Sequence, residues 1–207
     1  MKVINHFIFI LLVIFLMTSV STVFVFAGNQ KEAEKEQQKI IETWKKYSSP
    51  GEMHKYLQYF VGHWESVQNI FPRSAGDEVM VMYQEIHVES LFEGRFIKAH
   101  IKAKKKSMGS YTETIVITGY DNYKQKVIST TFSNKATDFT ILTGTLDKSG
   151  KTRIDTGMRT NIFTGREYKI RAVTTIINPD KYIYEYYEPD PNGSEFKVME
   201  ITYTRKK

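Results

Sequence analysis

Cysteine is absent from the 207-residue sequence, so disulfides, thiol nucleophiles and cysteine-ligated zinc are excluded from the outset. Proline is scarce at five residues and glycine modest at twelve, which excludes collagen-like chains and Pro/Gly-rich linkers. Histidine is also thin. The five residues end at His100, and no pair among His54, His63, His87 and His100 has the helical i,i+4 or short-loop spacing of a zinc site. Gly-x-Ser-x-Gly elbows, Walker loops and dinucleotide glycine fingerprints are missing too. No metal, no cofactor and no catalytic residue is expected, and binding is favoured over catalysis.

What the chain has in quantity is aromatic: 13 Phe, 13 Tyr and 2 Trp. That is ample apolar area for one core, and a domain of ~150 residues buries about 70% of its unfolded surface without crosslinks. The formal net charge is +6. Spread along the chain, it suits loose attraction to anionic surfaces rather than nucleic-acid recognition, which needs a clustered stripe. Only Lys102, Lys104, Lys105 and Lys106 cluster, beside Ser107-Met108-Gly109. They read as a solvated hairpin tip that blunts a sheet edge.

One run stands apart from the fold. Phe7 to Phe26 is almost wholly apolar, follows Lys2, and ends in Val25-Phe26-Ala27-Gly28, with small residues at the −3 and −1 positions of a cut after Ala27. Residues 1–27 read as a secretory signal, so the protein is expected outside the cytoplasm, periplasmic or secreted. About 20 apolar residues also span a bilayer, so an uncleaved segment would act as a membrane tether.

Residues 28–49 form a charged lead-in, helical over 29–47, with Ile40, Ile41, Trp44 and Tyr47 on one side. Ser49-Pro50-Gly51-Glu52 supplies a capping hydroxyl, a first-turn proline and a third-position acid, which predicts a new helix with Met53, Leu57 and Phe60 on its buried face. After Gly62 the period changes to two. Ile97, Ala99, Ile101 and Ala103 alternate with Lys98, His100, Lys102 and Lys104. Similar runs cover 63–71, 79–89, 111–119, 125–133, 138–146, 151–158, 166–177, 181–188 and 195–205, separated by turn residues. Ten strands joined by hairpins predict an all-β fold over 50–207, an antiparallel up-and-down barrel with a short N-terminal helix.

Asn192-Gly193 between alternating strands predicts a two-residue turn in which Pro191 faces Ser194. Tyr186 then faces Met199, Tyr184 faces Ile201, and Glu185 faces Glu200. Two rows result: Tyr182, Tyr184, Tyr186, Met199, Ile201, Tyr203 and Arg205 on one face, and Glu185, Tyr187, Val198, Glu200 and Thr202 on the other. Asn192-Gly193-Ser194 also matches a glycosylation acceptor, but the turn reading outweighs it.

Pro50-Gly51-Glu52 with His54-Lys55 and Leu57, Val61-Gly62-His63-Trp64, Glu93-Gly94-Arg95-Phe96, Gly119-Tyr120-Asp121-Asn122 and Lys197 through Arg205 together resemble the bacterial family catalogued as domain of unknown function 1579. The resemblance implies a lipocalin-like barrel over nearly all of residues 50–207 and no established activity. It also implies Arg205 stacked on Trp64 where the sheet closes, a structural cation–π contact. The chain departs from the family in having Thr131 and Ser133 where Trp and Asp are common.

With Arg205 over Trp64, the Tyr184, Tyr186, Met199 and Ile201 row points inward and forms an aromatic pocket for a small apolar or amphipathic molecule. Arg95, in parity with Ile97 and Ala99, is a candidate anchor for an anionic headgroup; the alternative folds it back onto Gly94 and Glu93. A second arrangement places Glu185 and Glu200 inside with Arg171, a polar cluster suited to acid–base work. A third reading is an envelope-associated structural or interaction protein that uses the 29–47 helix.

Overall fold

The computed structural model describes residues 30–74, 76–107, 109–190 and 192–207. The expected signal segment, Met108 and Pro191 lie outside the described residues. The chain divides into two units, residues 1–45 and 46–207. The first is represented by most of helix α1, Gln30–Ser48, on which Ile40, Ile41 and Trp44 are exposed.

The second unit opens with helix α2, Glu52–Gln58. Its N-cap is Gly51 rather than Ser49: the Gly51 N–H donates to His54 Nδ1 (2.9 Å) and Gly51 O accepts from the His54 N–H (2.9 Å). The helix starts late because a third-position imidazole, and not an upstream hydroxyl, closes its first turn. Leu57 and Phe60 are buried and Met53 half-buried.

Ten strands follow: β1 Gly62–Ile70, β2 Met80–Leu91, β3 Phe96–Ser107, β4 Ser110–Asp121, β5 Lys126–Ser133, β6 Thr140–Leu146, β7 Thr152–Thr160, β8 Glu167–Asn178, β9 Lys181–Pro189 and β10 Glu195–Arg205. Each pairs antiparallel with its chain neighbours, and β1 pairs with β10, closing an up-and-down barrel. The lysines of β3 therefore guard no edge. They stand on the outer wall, where Lys104 meets Glu65 (2.9 Å) and Lys98 meets Glu89.

Near the last turn Asp190 takes the place opposite Ser194, its N–H donating to Ser194 O (2.7 Å), so the loop is one residue longer than a two-residue Asn-Gly turn. A bulge between Lys197 and Met199 absorbs that residue, and beyond it Tyr186 faces Met199, Glu185 faces Glu200 and Tyr184 faces Ile201. The bulge also turns Val198 to the same side as Met199, against the alternation expected of an unbroken strand. Asn192 is engaged in the turn: its Oδ1 accepts from the Ser194 N–H (2.9 Å) and hydroxyl (2.7 Å).

The barrel has unlike ends. At one, α2 and the segment 59–61 pack over Trp64, Tyr182 and Tyr203 together with Leu57 and Phe60. At the other, the hairpin loops project and the main buried cluster gives way to a small group, Leu142, Ile170, Ala172 and Tyr186.

A candidate ligand cavity and its surroundings

The barrel axis holds a cavity of about 270 Å³. One wall is aliphatic, formed by Ile86, Val88, Ile97, Ala99, Ile101 and Val116; Phe60, Tyr182 and Tyr203 make an aromatic floor. A second hollow of about 290 Å³ at the open mouth shares Thr131, Leu142, Tyr184 and Met199 with it. Each approaches the lower size of a small-molecule site. Thr131 lines both hollows and so lies at their junction.

The lining is more polar than the sequence rows imply. Ser66 donates to Gln84 Oε1 (2.9 Å), and Gln84 Nε2 donates to Gln68 Oε1 (2.9 Å). Thr118 and Ser129 share a hydrogen bond of 2.9 Å on the facing wall. Arg153, Thr174 and Tyr184 stand level across β7, β8 and β9. The buried Arg153 Nε donates to Asp155 Oδ2 (2.8 Å), and among the described residues its two Nη groups have no hydrogen-bond partner. Thr174 Oγ1, Tyr56 OH and Asp155 Oδ1 are buried without partners.

Asp155 is fully buried. Desolvation holds its carboxyl above the ordinary range, against the pull of Arg153. Its space is made by Gly144, the residue opposite on β6: a Cβ there would come within 2.0 Å of Oδ1. Burial pushes the hydroxyls of Tyr56 and Tyr186 up to about 12, and those of Tyr182, Tyr184 and Tyr203 further.

Tyr184, Met199 and Ile201 line the cavity, while Tyr186 belongs to the mouth. Arg205 lies opposite Trp64, with its guanidinium 4.1 Å from the indole centroid, and donates to Val61 O (2.9 Å) and Tyr59 O (2.7 Å). Arg95 does not join the interior row. Phe92, Glu93 and Gly94 take left-handed backbone conformations, so the strand parity that would aim Arg95 inward begins only after it. Its guanidinium folds back onto Phe92 O (3.0 Å) and Glu93 (3.2 Å) and reaches Ser48 O (3.3 Å), beside an outer-wall hollow of about 360 Å³.

The polar trio does not converge inside either. Lys197 on the outer wall holds both Glu185 (2.9 Å) and Glu200 (2.6 Å), whereas Arg171 pairs with Glu195 (2.6 Å) over the Tyr187 ring. The acid–base reading thus loses its enclosed site. Spacing along the chain also missed a cross-strand row: His63 faces His87, which faces His100, and the first two rings stack at 4.5 Å. Among the described residues no group of three His, Asp or Glu side chains is arranged to hold a metal ion.

Arg153 and Asp155 were legible but unread. Setting Asp147 opposite Gly150 in that turn places Gly144 opposite Arg153 and Leu142 opposite Asp155; the observed loop is longer and moves the partners by two residues, to Leu146 and Gly144, which leaves both side chains on the same face. The apolar Leu142 and Leu146 then mark that face as inward.

Fold and cavity define a class: a closed ten-stranded antiparallel barrel, plugged at one end and hollow within. Within that class, residues 49–205 match the profile of a family described as a protein of unknown function (DUF1579), and the chain belongs to that family. No curated protein matches the sequence. Among solved structures, a redesigned β barrel is similar with a TM-score of 0.34 and 13% identity, aligned over 77% of this chain and 100% of its own.

Proposed function

We propose that the protein is an exported carrier of a small amphipathic molecule, with an apolar body along the Ile86–Ile97 wall and an anionic head at Arg153. The observation that carries this reading is the uncommitted half of a buried guanidinium at a cavity whose other walls are largely apolar. Arg153 lines the cavity with its Nε committed to Asp155, and a carboxylate or similar head would take both Nη groups in a bidentate geometry. The head would raise the Asp155 carboxyl further, because two like charges beside one cation favour protonation of one of them. Binding is therefore expected to take up a proton. Export rests on the apolar run over 7–26 and its small-residue end.

The test compares a medium-chain fatty acid with the alcohol of equal length, titrated into protein stripped of co-purified lipid. The acid is expected to bind at one per barrel and about tenfold or more tighter than the alcohol. That preference should vanish in the double variant Arg153→Met with Asp155→Asn, which removes the pair without leaving one charge buried alone. Equal affinities in the native protein would refute the anionic head; no saturable binding of either would refute the carrier.

A further inference from the structure

The most exposed large apolar side chains of the described barrel are adjacent. Ile162 is 86% and Phe163 90% exposed, at the tip of the β7–β8 hairpin. The loop that lifts them is ordered by its own hydrogen bonds. Asn161 Oδ1 accepts from the Phe163 and Thr164 N–H groups (2.9 and 3.0 Å), Asn161 N–H donates to Arg166 O (2.9 Å), and Gly165 N–H donates to Asn161 O (2.8 Å). A hydrogen-bonded tip that presents Ile and Phe to water is a fixed projection.

The neighbouring loops extend it. Phe139 is 67% exposed on the β5–β6 loop. That loop is held to β7 by Arg159 on Asp138 (3.3 Å) and to β4 by Asn134 Nδ2 donating to Tyr111 O (2.9 Å). Exposed Tyr111 lies beneath Lys106 Nζ at 5.7 Å. Cations border these apolar residues: Lys105 and Lys106 at the β3–β4 turn, Lys135 and Arg166 beside the tips, all exposed. The acids of this side are Asp138, which is bound by Arg159, and Glu167. Across the mouth the balance reverses, with Asp77 and Glu78 ahead of β2 and Glu188, Asp190 and Glu195 at the β9–β10 end, the last three engaged by Arg73 or Arg171.

Apolar points on separate loops, ringed by long cationic side chains and confined to one side of the rim, match an anionic lipid surface. The points enter the acyl boundary while the cations meet headgroups. A protein partner would call for a flatter, continuous patch. We propose that the β3–β8 side of the rim docks on an anionic bilayer, with Ile162 and Phe163 inserted, which places the mouth lined by Arg159 and Thr140 against the membrane. This holds whatever occupies the cavity.

The experiment uses the full chain carrying Phe163→Trp, with the unsubstituted chain as background for Trp44 and Trp64, and vesicles whose acyl chains carry bromine. Quenching at the tip reports local insertion even if residues 1–27 anchor the chain by themselves. With phosphatidylcholine containing about a third phosphatidylglycerol, quenching of the new indole is expected, lost in high salt and in pure phosphatidylcholine. Replacing Lys105, Lys106 and Arg166 with Gln should raise the lipid concentration for half-quenching about fivefold per cation. Absence of quenching on anionic vesicles would overturn the proposal, as would equal quenching on neutral ones. A blue shift that depends on protein concentration and not on lipid would also overturn it, in favour of a second copy on the tip. Unchanged thermal unfolding of Phe163→Trp verifies that the reporter leaves the fold intact.

Discussion

The two ends of the barrel use the same residue types in opposite ways. At the plugged end, rings face rings: Tyr182 stacks on Tyr203 (4.2 Å) and meets Trp64 and Phe60 edge-on (4.9 and 5.1 Å), and Trp64 Nε1 donates to Phe60 O (2.8 Å). Arg205 ties the segment 59–61 down through two carbonyls and covers the indole. At the mouth, Phe139, Ile162 and Phe163 stand in solvent. The plug gains free energy from its packed rings, although Phe92 and Tyr123 on the turns beside it are exposed; the mouth leaves the adjacent Ile162 and Phe163 unpacked. Stability is thus assigned to the plug, and the recognition proposed above to the mouth.

That division is open to measurement. The largest effect is alkaline. Burial, which disfavours the phenolate, pushes the hydroxyls of Tyr56 and Tyr186 up to about 12 and those of Tyr182, Tyr184 and Tyr203 higher. The folded chain thus holds protons that the unfolded chain releases near pH 10. Stability is complete below that point and is lost as pH rises toward the folded values, by up to about 1.4 kcal/mol per tyrosine for each pH unit. Denaturant midpoints at stepped pH measure it, and a flat profile would show that these hydroxyls are wetter than their burial implies. Next is Trp64→Ala, expected to cost about 3–5 kcal/mol in urea unfolding, since it empties the plug and removes the surface on which Arg205 lies. The smallest effect sharpens the contrast. Arg205→Ala should cost about 1–2 kcal/mol through two lost carbonyl bonds and the indole contact, whereas Ile162→Ser should stay within about 0.5 kcal/mol. A destabilised Ile162→Ser would end the division of labour between the ends.

Much of this architecture is written in the chain at short range. The period-two runs and their turn residues specify ten strands in a meander, because side-chain alternation and hairpin chemistry are local properties. The pairing of Tyr186 with Met199 was legible although the turn beside it was not: the longer loop and the bulge before Met199 offset each other. Arg95 shows the limit of parity, which fails where three successive residues adopt left-handed backbone. Glu185 and Glu200 face each other as expected, yet which face turns inward is decided around the whole circumference, and the cation between them is Lys197, brought there across the bulge, rather than Arg171. The Arg153–Asp155 pair escaped because a charged strand segment reads as solvent-facing unless its opposite strand is placed first. The unpartnered tip at Ile162 could not be weighed at all, since exposure of two apolar residues in a turn is invisible until the loop is built.

The seam between β1 and β10 also sets an order of assembly. Nine of the ten pairings join strands adjacent in sequence; the tenth joins residues about 140 apart. Loop-closure entropy opposes every pairing and that last one most, although it grows only slowly with length. A row of hairpins with one late zip is the pathway such connectivity favours, and Arg205 against Trp64 is its clasp. Weakening that clasp should speed unfolding while leaving refolding nearly unchanged.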